Sequence, residues 1–207
     1  MKNLVTLIKK KIKQYGYWGL IRLFFDLLIT KCLFRNARLI RYPVDIRGKD
    51  YIKIGKGFTT GRYCRIEAYP TDGNSKVLSI GSNVQINDFV HITAISDVYI
   101  GNNVLMASKI YISDSSHGSY SGNHLDSNPE TSPSVRELSF KKVKIEDNVW
   151  LGEFVSVLPG VTIGRGTIVG AGSIVSKDLP AGVIAVGTPA KPIKKFNIKT
   201  DRWEKIY

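Results

Sequence analysis

The sequence predicts an all-β chain wound as a triangular coil of parallel strands, with a helical segment before it and a long loop leaving it. Three observations predict the coil. Aliphatic residues recur every six positions without a slip at Ile145, Leu151, Val157, Ile163, Val169 and Val175. Four positions after each stands Val149, Val155, Val161, Thr167, Ser173 or Leu179. Glycine often follows the aliphatic, at Gly152, Gly164 and Gly170. A helix would repeat every ~3.6 residues and a half-buried strand every ~2, so a period of six needs another geometry. One short strand and one turn per unit, with three units per revolution, satisfies it. The aliphatic then points inward, the residue four later fills the narrow corner, and glycine serves the turn. Stacked revolutions pair in parallel, which satisfies the backbone between coils.

The same period runs earlier with breaks. It is kept by Ile54, Thr60 and Ile66, by Ile80, Ile86 and Ile92, and by Ile100, Met106 and Ile112. The joins from 66 to 80 and from 92 to 100 each exceed a multiple of six by two residues, which predicts small bulges at corners. Cys64 falls four after Thr60, on an inward position, and reads as a packed core thiol. Between Ile112 and Ile145 the period stops. Residues 115–142 are rich in Ser, Gly, Asn and Pro, and a loop of that length is usually functional or disordered. The expected organisation is a basic amphipathic helical segment at 1–45, a coil domain at 46–196 carrying the loop 115–142, and a tail at 197–207.

The net charge of +13 is uneven: residues 1–65 carry sixteen Lys/Arg against three Asp/Glu, and residues 66–207 carry fourteen of each. That is a basic appendage on a neutral body. No DNA- or RNA-binding motif accompanies it, so nucleic acid is not an expected partner. The apolar stretch 17–34 contains Arg22, Asp26 and Lys31, which argues against a membrane span. It also lacks a small-residue cleavage site, so it does not read as a secretory signal. Leu20, Leu23, Phe24, Leu27 and Leu28 recur at helical spacing. Two uses of this helix stay open and are compatible. It caps an end of the coil, as solenoids require, or it lies on an anionic membrane with Lys9, Lys10, Lys11 and Lys13 toward the headgroups. The two cysteines, Cys32 and Cys64, make neither a disulfide framework nor a zinc ribbon. A reducing, cytoplasmic setting follows, at the inner membrane face if the helix binds lipid.

Five segments then stand in series: Asn148-Val149-Trp150-Leu151-Gly152, Pro159-Gly160-Val161-Thr162-Ile163-Gly164, Gly170-Ala171-Gly172-Ser173-Ile174-Val175, Lys177-Asp178-Leu179-Pro180 and Val186-Gly187-Thr188-Pro189-Ala190-Lys191. The series resembles the hexapeptide acyltransferases, especially the maltose and galactoside O-acetyltransferases and the colanic-acid and O-antigen acetyltransferases. The likeness is close over 143–196 and weaker back to residue 54. It implies a left-handed parallel β-helix. Handedness comes from the resemblance, because parallel crossovers are right-handed in nearly all other proteins. It also implies acetyl-CoA as acetyl donor, no metal, and a homotrimer with active sites in the clefts between neighbouring coils.

His117, in Asp114-Ser115-Ser116-His117-Gly118, falls where the resemblance implies the catalytic base. An alcohol needs a base to take its proton as it attacks, and imidazole suits that task near neutral pH. The oxygen attacks the thioester carbonyl directly, and a backbone N–H of the coil stabilises the tetrahedral oxyanion. Asp114 either orients the His117 ring or forms a turn, and Asn87 falls near an acceptor-binding asparagine. Trp150 matches a wall of the acetyl-CoA channel, or else packs at a trimer corner. Gly152, Ala171 and Gly172 offer small surfaces for the pantetheine arm, and Ser176 offers a hydroxyl to it. Lys191 and Lys194 fall where arginines commonly meet CoA phosphates, with Lys195 beside them; a solvated basic tail is the other reading. His91 reads as structural and His124 as a loop residue. Glu153 replaces a small polar residue for no evident reason.

The expected activity is acetyl transfer from acetyl-CoA to a sugar hydroxyl, in the making of a surface polysaccharide. Three rivals differ in class. An antibiotic or serine replaces the sugar, although serine acetyltransferases usually carry a larger helical domain than these fifty residues build. A metal enzyme resembling the gamma carbonic anhydrases needs His91, His117 and His124 to converge on zinc. A structural β-helix cap leaves the loop histidine unexplained.

Overall fold

The structure is a computed structural model that describes residues 2–71, 73 and 75–206; the outer bounds of the expected segments, Met1 and Tyr207, lie outside it. Residues 44–186 wind as a three-faced parallel β-helix. The first face stacks Val44–Arg47, Cys64–Ala68, His91–Ala94, Tyr111–Ser113, Ser156–Val157 and Ile174–Val175. The second stacks Ile52–Ile54, Leu78–Ile80, Val98–Ile100, Val143–Ile145 and Thr162–Ile163. The third stacks Gln85–Ile86, Leu105–Met106, Trp150–Leu151, Ile168–Val169 and Val183–Val186, all in parallel.

The six-residue period sets this core. Ile145, Leu151, Val157, Ile163, Val169 and Val175 are buried, and so is every residue four positions after them. Ile54 alone of the earlier series is half-buried, because its coil lies at the open N-terminal end. Ile54 pairs with Ile80, Ile80 with Ile100, Ile100 with Ile145 and Ile145 with Ile163, so successive revolutions take 26, 20, 45 and 18 residues. The join from 92 to 100 is the small corner bulge expected. The join from 66 to 80 is not: Ile66 lies within a first-face strand and Ile80 ends the next second-face strand. One corner, between Ala68 and Val77, therefore carries the whole excess, and its described residues Tyr69, Thr71, Gly73, Ser75 and Lys76 are exposed. An arithmetic of sixes cannot tell a long corner from an added unit.

At the corner between the second and third faces, Asn83, Asn103 and Asn148 hold φ of 57°, 56° and 60°. Asparagine tolerates this left-handed region. Here it also forms a ladder, Asn83 Nδ2 to Asn103 Oδ1 and Asn103 Nδ2 to Asn148 Oδ1, each 3.3 Å. Gly166 and Gly182 continue the column with positive φ.

The helix Lys2–Leu33 breaks at Gly16, which has φ 68° and ψ 173°. It docks by polar residues. Buried Asp26 accepts from the Tyr42 N–H at 3.0 Å and pairs with Arg62 at 2.8 Å, and the Thr30 hydroxyl accepts from the Ile40 N–H at 2.8 Å. The apolar stripe divides: Leu20 and Leu23 are half-buried, while Phe24, Leu27 and Leu28 face solvent with Trp18, Ile21 and Phe25. Among the described residues no helix is long and apolar enough to cross a membrane. The segment expected as a C-terminal tail carries a strand. Arg202–Lys205 pairs antiparallel with Lys191–Asn197, which pairs with Val183–Val186, and Trp203 meets Phe196 edge to face at 5.3 Å.

Cys64 is buried, its Sγ donating to the Asn87 carbonyl at 3.0 Å, and burial pushes its thiol up to about 11. Because the thiolate is the reactive form, a thiol reagent at neutral pH is expected to label exposed Cys32 alone in the folded protein and both cysteines after denaturation. Rapid labelling of Cys64 in the native state would contradict the packing described.

Candidate active site

The loop leaves the first face after Ser113 and returns to the second at Val143. Its stem is an antiparallel pair, Ser115–His117 with Leu138–Phe140, in which His117 stands opposite Leu138. Gly118 follows at φ 106°, where an added Cβ would lie 2.5 Å from the Tyr120 hydroxyl and 2.7 Å from Ser127 Oγ. The Tyr120 hydroxyl donates to the His117 carbonyl at 2.6 Å, and Arg136 Nη1 donates to that hydroxyl at 2.7 Å. Arg136 also spans the loop tip, donating to the Thr131 and Pro129 carbonyls at 2.9 Å each. The backbone of His117 is thus fixed from within the loop. Its imidazole is exposed and makes no hydrogen bond among the described residues, which leaves both ring nitrogens for an incoming group. Tyr120 and Arg136 escape sequence reasoning, because their roles depend on how the loop folds back.

Asp114 neither orients His117 nor offers itself to an acceptor. It is fully buried, and its carboxylate takes the Ile95 N–H at 2.9 Å, the Ser96 N–H at 2.7 Å and the Asp97 N–H at 2.8 Å. Those are the residues of the corner bulge, whose N–H groups have no backbone acceptor among the described residues. The Asp114 carboxylate takes that place. Glu153 gains an explanation of the same kind: its Oε1 accepts from the Ser108 N–H at 3.1 Å across adjacent corners.

A groove of about 370 Å³ lies beside the loop stem, lined by Ser116, Tyr120, Phe140, Lys141, Pro159 and Ser176 among others. Ser176 therefore shares an edge with the residues flanking His117. Trp150 stands elsewhere, outward on the third face and half exposed. Its register column runs through Ile168 and Ile184 to Lys194. Three inter-strand steps span about 14 Å, so an apolar track begins at Trp150 and ends at lysines 194 and 191. Such a track suits a chain with an amide-and-methylene body and a phosphorylated end.

The small residues divide. Gly172 and Ala171 are exposed at the corner between the third and first faces. Gly152 is buried, and a Cβ there would meet the Ala171 nitrogen at 2.7 Å. It serves the close approach of two coils rather than a ligand surface. Asn87 is half-buried on that same corner. His117 and Ser176 thus occupy one edge of the first face, while Asn87, Ala171 and Gly172 occupy the other, roughly 20 Å of extended chain apart. A single chain does not unite them. His91 sits on the first face against Glu67, while His117 and His124 lie in the loop; among the described residues no three His, Cys, Asp or Glu are grouped to hold a metal ion.

Comparison with known proteins shows the family of the coil. Residues 142–177 match the bacterial transferase hexapeptide family model of six repeats. WbbJ of Escherichia coli K12, whose name assigns it to O-acetyl transfer in lipopolysaccharide biosynthesis, is 44% identical over 199 residues, covering 96% of this chain and 100% of that one. The galactoside O-acetyltransferase of the same organism is 39% identical over 125 residues, 58% of this chain and 57% of that one. Among solved structures, AntD, an N-acyltransferase from Bacillus cereus crystallised with dTDP-4-amino-4,6-dideoxyglucose and coenzyme A, superposes with a TM-score of 0.62 at 25% identity, covering 79% of this chain and 84% of that one.

Proposed function

Because the chain belongs to the hexapeptide-repeat acyltransferases, with their left-handed β-helix, we propose that it transfers an acetyl group from acetyl-CoA to a sugar hydroxyl. The observation that carries this reading is the loop-held, unpartnered imidazole of His117 at one edge of a coil whose third face bears the Trp150–Lys194 track. The relatives' names point the same way: one concerns lipopolysaccharide, one galactosides, and AntD was crystallised with a nucleotide sugar and coenzyme A.

His117 accepts the proton of the acceptor hydroxyl as its oxygen attacks the thioester carbonyl. The C–O bond forms, the carbonyl oxygen becomes an oxyanion held by a backbone N–H, and collapse breaks the C–S bond. The imidazolium then returns its proton to the leaving thiolate. Trp150 walls the donor's path, Ser176 hydrogen-bonds its arm, and Lys191 and Lys194 meet its phosphates. Thiol release from acetyl-CoA, measured against sugars, nucleotide sugars, glycan fragments, serine and aminoglycosides, tests the reading. Sugar-dependent release supports it; release with serine or an antibiotic alone, or none with any acceptor, overturns it.

The catalytic unit is a homotrimer, in which the His117 edge of one copy meets the Asn87–Gly172 corner of another. That corner carries an exposed ridge that the backbone does not favour. Tyr63, Phe89, Lys109 and Phe154 hold φ of 58–60°, where the opposite corner uses Asn and Gly. A bulky residue pays for that conformation by about 1–2 kcal/mol. Tyr63 stacks on Phe89 at 5.0 Å, and Lys109 covers Phe154 at 4.7 Å. A seam between copies gives the ridge its use. Phe89→Asn with Phe154→Asn is expected to leave the coil at least as stable and to shift the trimer to monomer in analytical ultracentrifugation. An unchanged trimer would remove the ridge from the interface.

The enzyme works at the inner face of a membrane, on a surface-polysaccharide precursor. Trp18, 81% exposed, Ile21, Phe25 and Leu28 form an exposed stripe on the basic N-terminal helix. Apolar side chains and lysines together suit an anionic lipid interface. Trp18→Ser with Phe25→Ser is expected to weaken co-flotation with anionic vesicles about tenfold or more. Equal flotation of variant and parent would exclude the helix as the anchor.

A further inference from the structure

The first face carries a polar cluster that the mechanism does not use. Its centre is Glu67, whose side chain is only 4% exposed. One oxygen accepts from Arg65 at 2.7 Å, Arg47 at 3.1 Å and Tyr69 at 3.1 Å. The other lies 3.2 Å from His91 Nε2 and 3.3 Å from the Thr93 hydroxyl. Burial pushes the Glu67 carboxyl up, but hydrogen bonds from Arg65, His91 and Tyr69 outweigh it and hold it below the usual range.

Stability does not explain so costly an arrangement. Half-exposed ion pairs contribute little, and a buried carboxylate carries a large desolvation cost. Farther along the same face the outward positions Ser156 and Ile174 fold without any such cluster. What the cluster does achieve is rigidity. Glu67 fixes Arg65 through one nitrogen, leaving the rest of its fork open, and fixes His91 edge-on to Tyr111 at 5.5 Å. Tyr69 and Tyr111 stay 44% and 38% exposed on either side. Aromatic rings beside fixed guanidinium and imidazole donors match the two surfaces of a sugar, its apolar C–H face and its hydroxyl rim. Preorganised groups of this kind lower the cost of binding.

Its position fits the acceptor. The cluster lies on the coils before the loop, the Trp150–Lys194 track lies on the coils after it, and His117 stands between. Six residues of near-extended chain separate Tyr111 from His117, no more than about 20 Å. We infer that the Glu67 platform binds the sugar units that flank the one acetylated, so that the enzyme acts on an oligosaccharide rather than a free monosaccharide. The inference rests on the sugar-acceptor reading.

The test uses Arg65→Gln, which keeps an N–H donor for Glu67, and Tyr111→Ser, which leaves the Glu67 hydrogen bonds intact. Full-length protein is presented to a glycan surface carrying mono- to tetrasaccharides of galactose, glucose, rhamnose and N-acetylglucosamine. Acetyl-CoA binding is measured by calorimetry on the same samples. The parent is expected to bind a tetrasaccharide about tenfold more tightly than its monosaccharide, and both variants are expected to lose that gain with acetyl-CoA affinity unchanged. A parent indifferent to chain length, or variants that keep the gain, would overturn the inference. Loss of acetyl-CoA binding by the parent would instead strike the catalytic reading and leave the length series to be judged by itself.

Discussion

His117→Ala is expected to lower acetyl transfer by roughly a hundred- to ten-thousand-fold, the range a positioned general base contributes, while acetyl-CoA affinity stays within about twofold. The geometry dictates both halves of this result. The ring makes no hydrogen bond within the described chain, so its removal orphans nothing. The loop stem is held by backbone pairing with Leu138–Phe140 and by the Tyr120 hydroxyl on the His117 carbonyl, neither of which needs the imidazole. The donor track lies on another face. Substitution therefore removes the base and spares the site around it. Thiol release and calorimetry on one preparation check it; an activity loss matched by lost donor binding would mean that His117 holds the donor instead.

Asp114→Ala is expected to destabilise the protein by roughly 3 kcal/mol or more, taking about 1 kcal/mol for each of three N–H groups left without an acceptor. Ile95, Ser96 and Asp97 all depend on this one carboxylate. The Asp114 carbonyl also accepts from the Lys141 N–H at 2.8 Å, so the residue ties the coil corner to both strands of the loop stem. Asn at this position keeps one acceptor oxygen and is expected to lose about half as much. Urea unfolding followed by circular dichroism measures the change. A variant as stable as the parent would show that water or a relaxed corner replaces the carboxylate.

Much of the fold was legible because the coil interior is narrow. An inward position such as Ile145 or Val157 admits only a limited set of side chains, and six in phase fix the winding. The long corner between Ala68 and Val77 was not legible, since a connection outside the coil obeys no period. The docking of the helix was not legible for a related reason: the spacing of its leucines does not show that Asp26 and Thr30 make the polar contacts with the coil. Within the candidate site, His117 was singled out by the family resemblance, which places a catalytic histidine where the chain leaves the coil for the loop. Asp114, whose three N–H partners come from a bulge nearly twenty residues earlier, was read as a local feature. The Glu67 cluster was missed altogether. Its members come from three coils separated by revolutions of unequal length, so spacing along the chain carries no trace of their contact.

The central claim is transfer of acetyl to a sugar oxygen, and isotope tracing tests it most directly. Acetyl-CoA labelled with carbon-13 at the carbonyl is incubated with the protein and a saccharide panel, and the products are examined by mass spectrometry before and after mild alkali. The account predicts one labelled acetyl on the sugar, lost on alkaline treatment as an ester is, and absent with His117→Ala. Label that survives alkali on an amino sugar, as an amide does, or that ends only in free acetate, would contradict it.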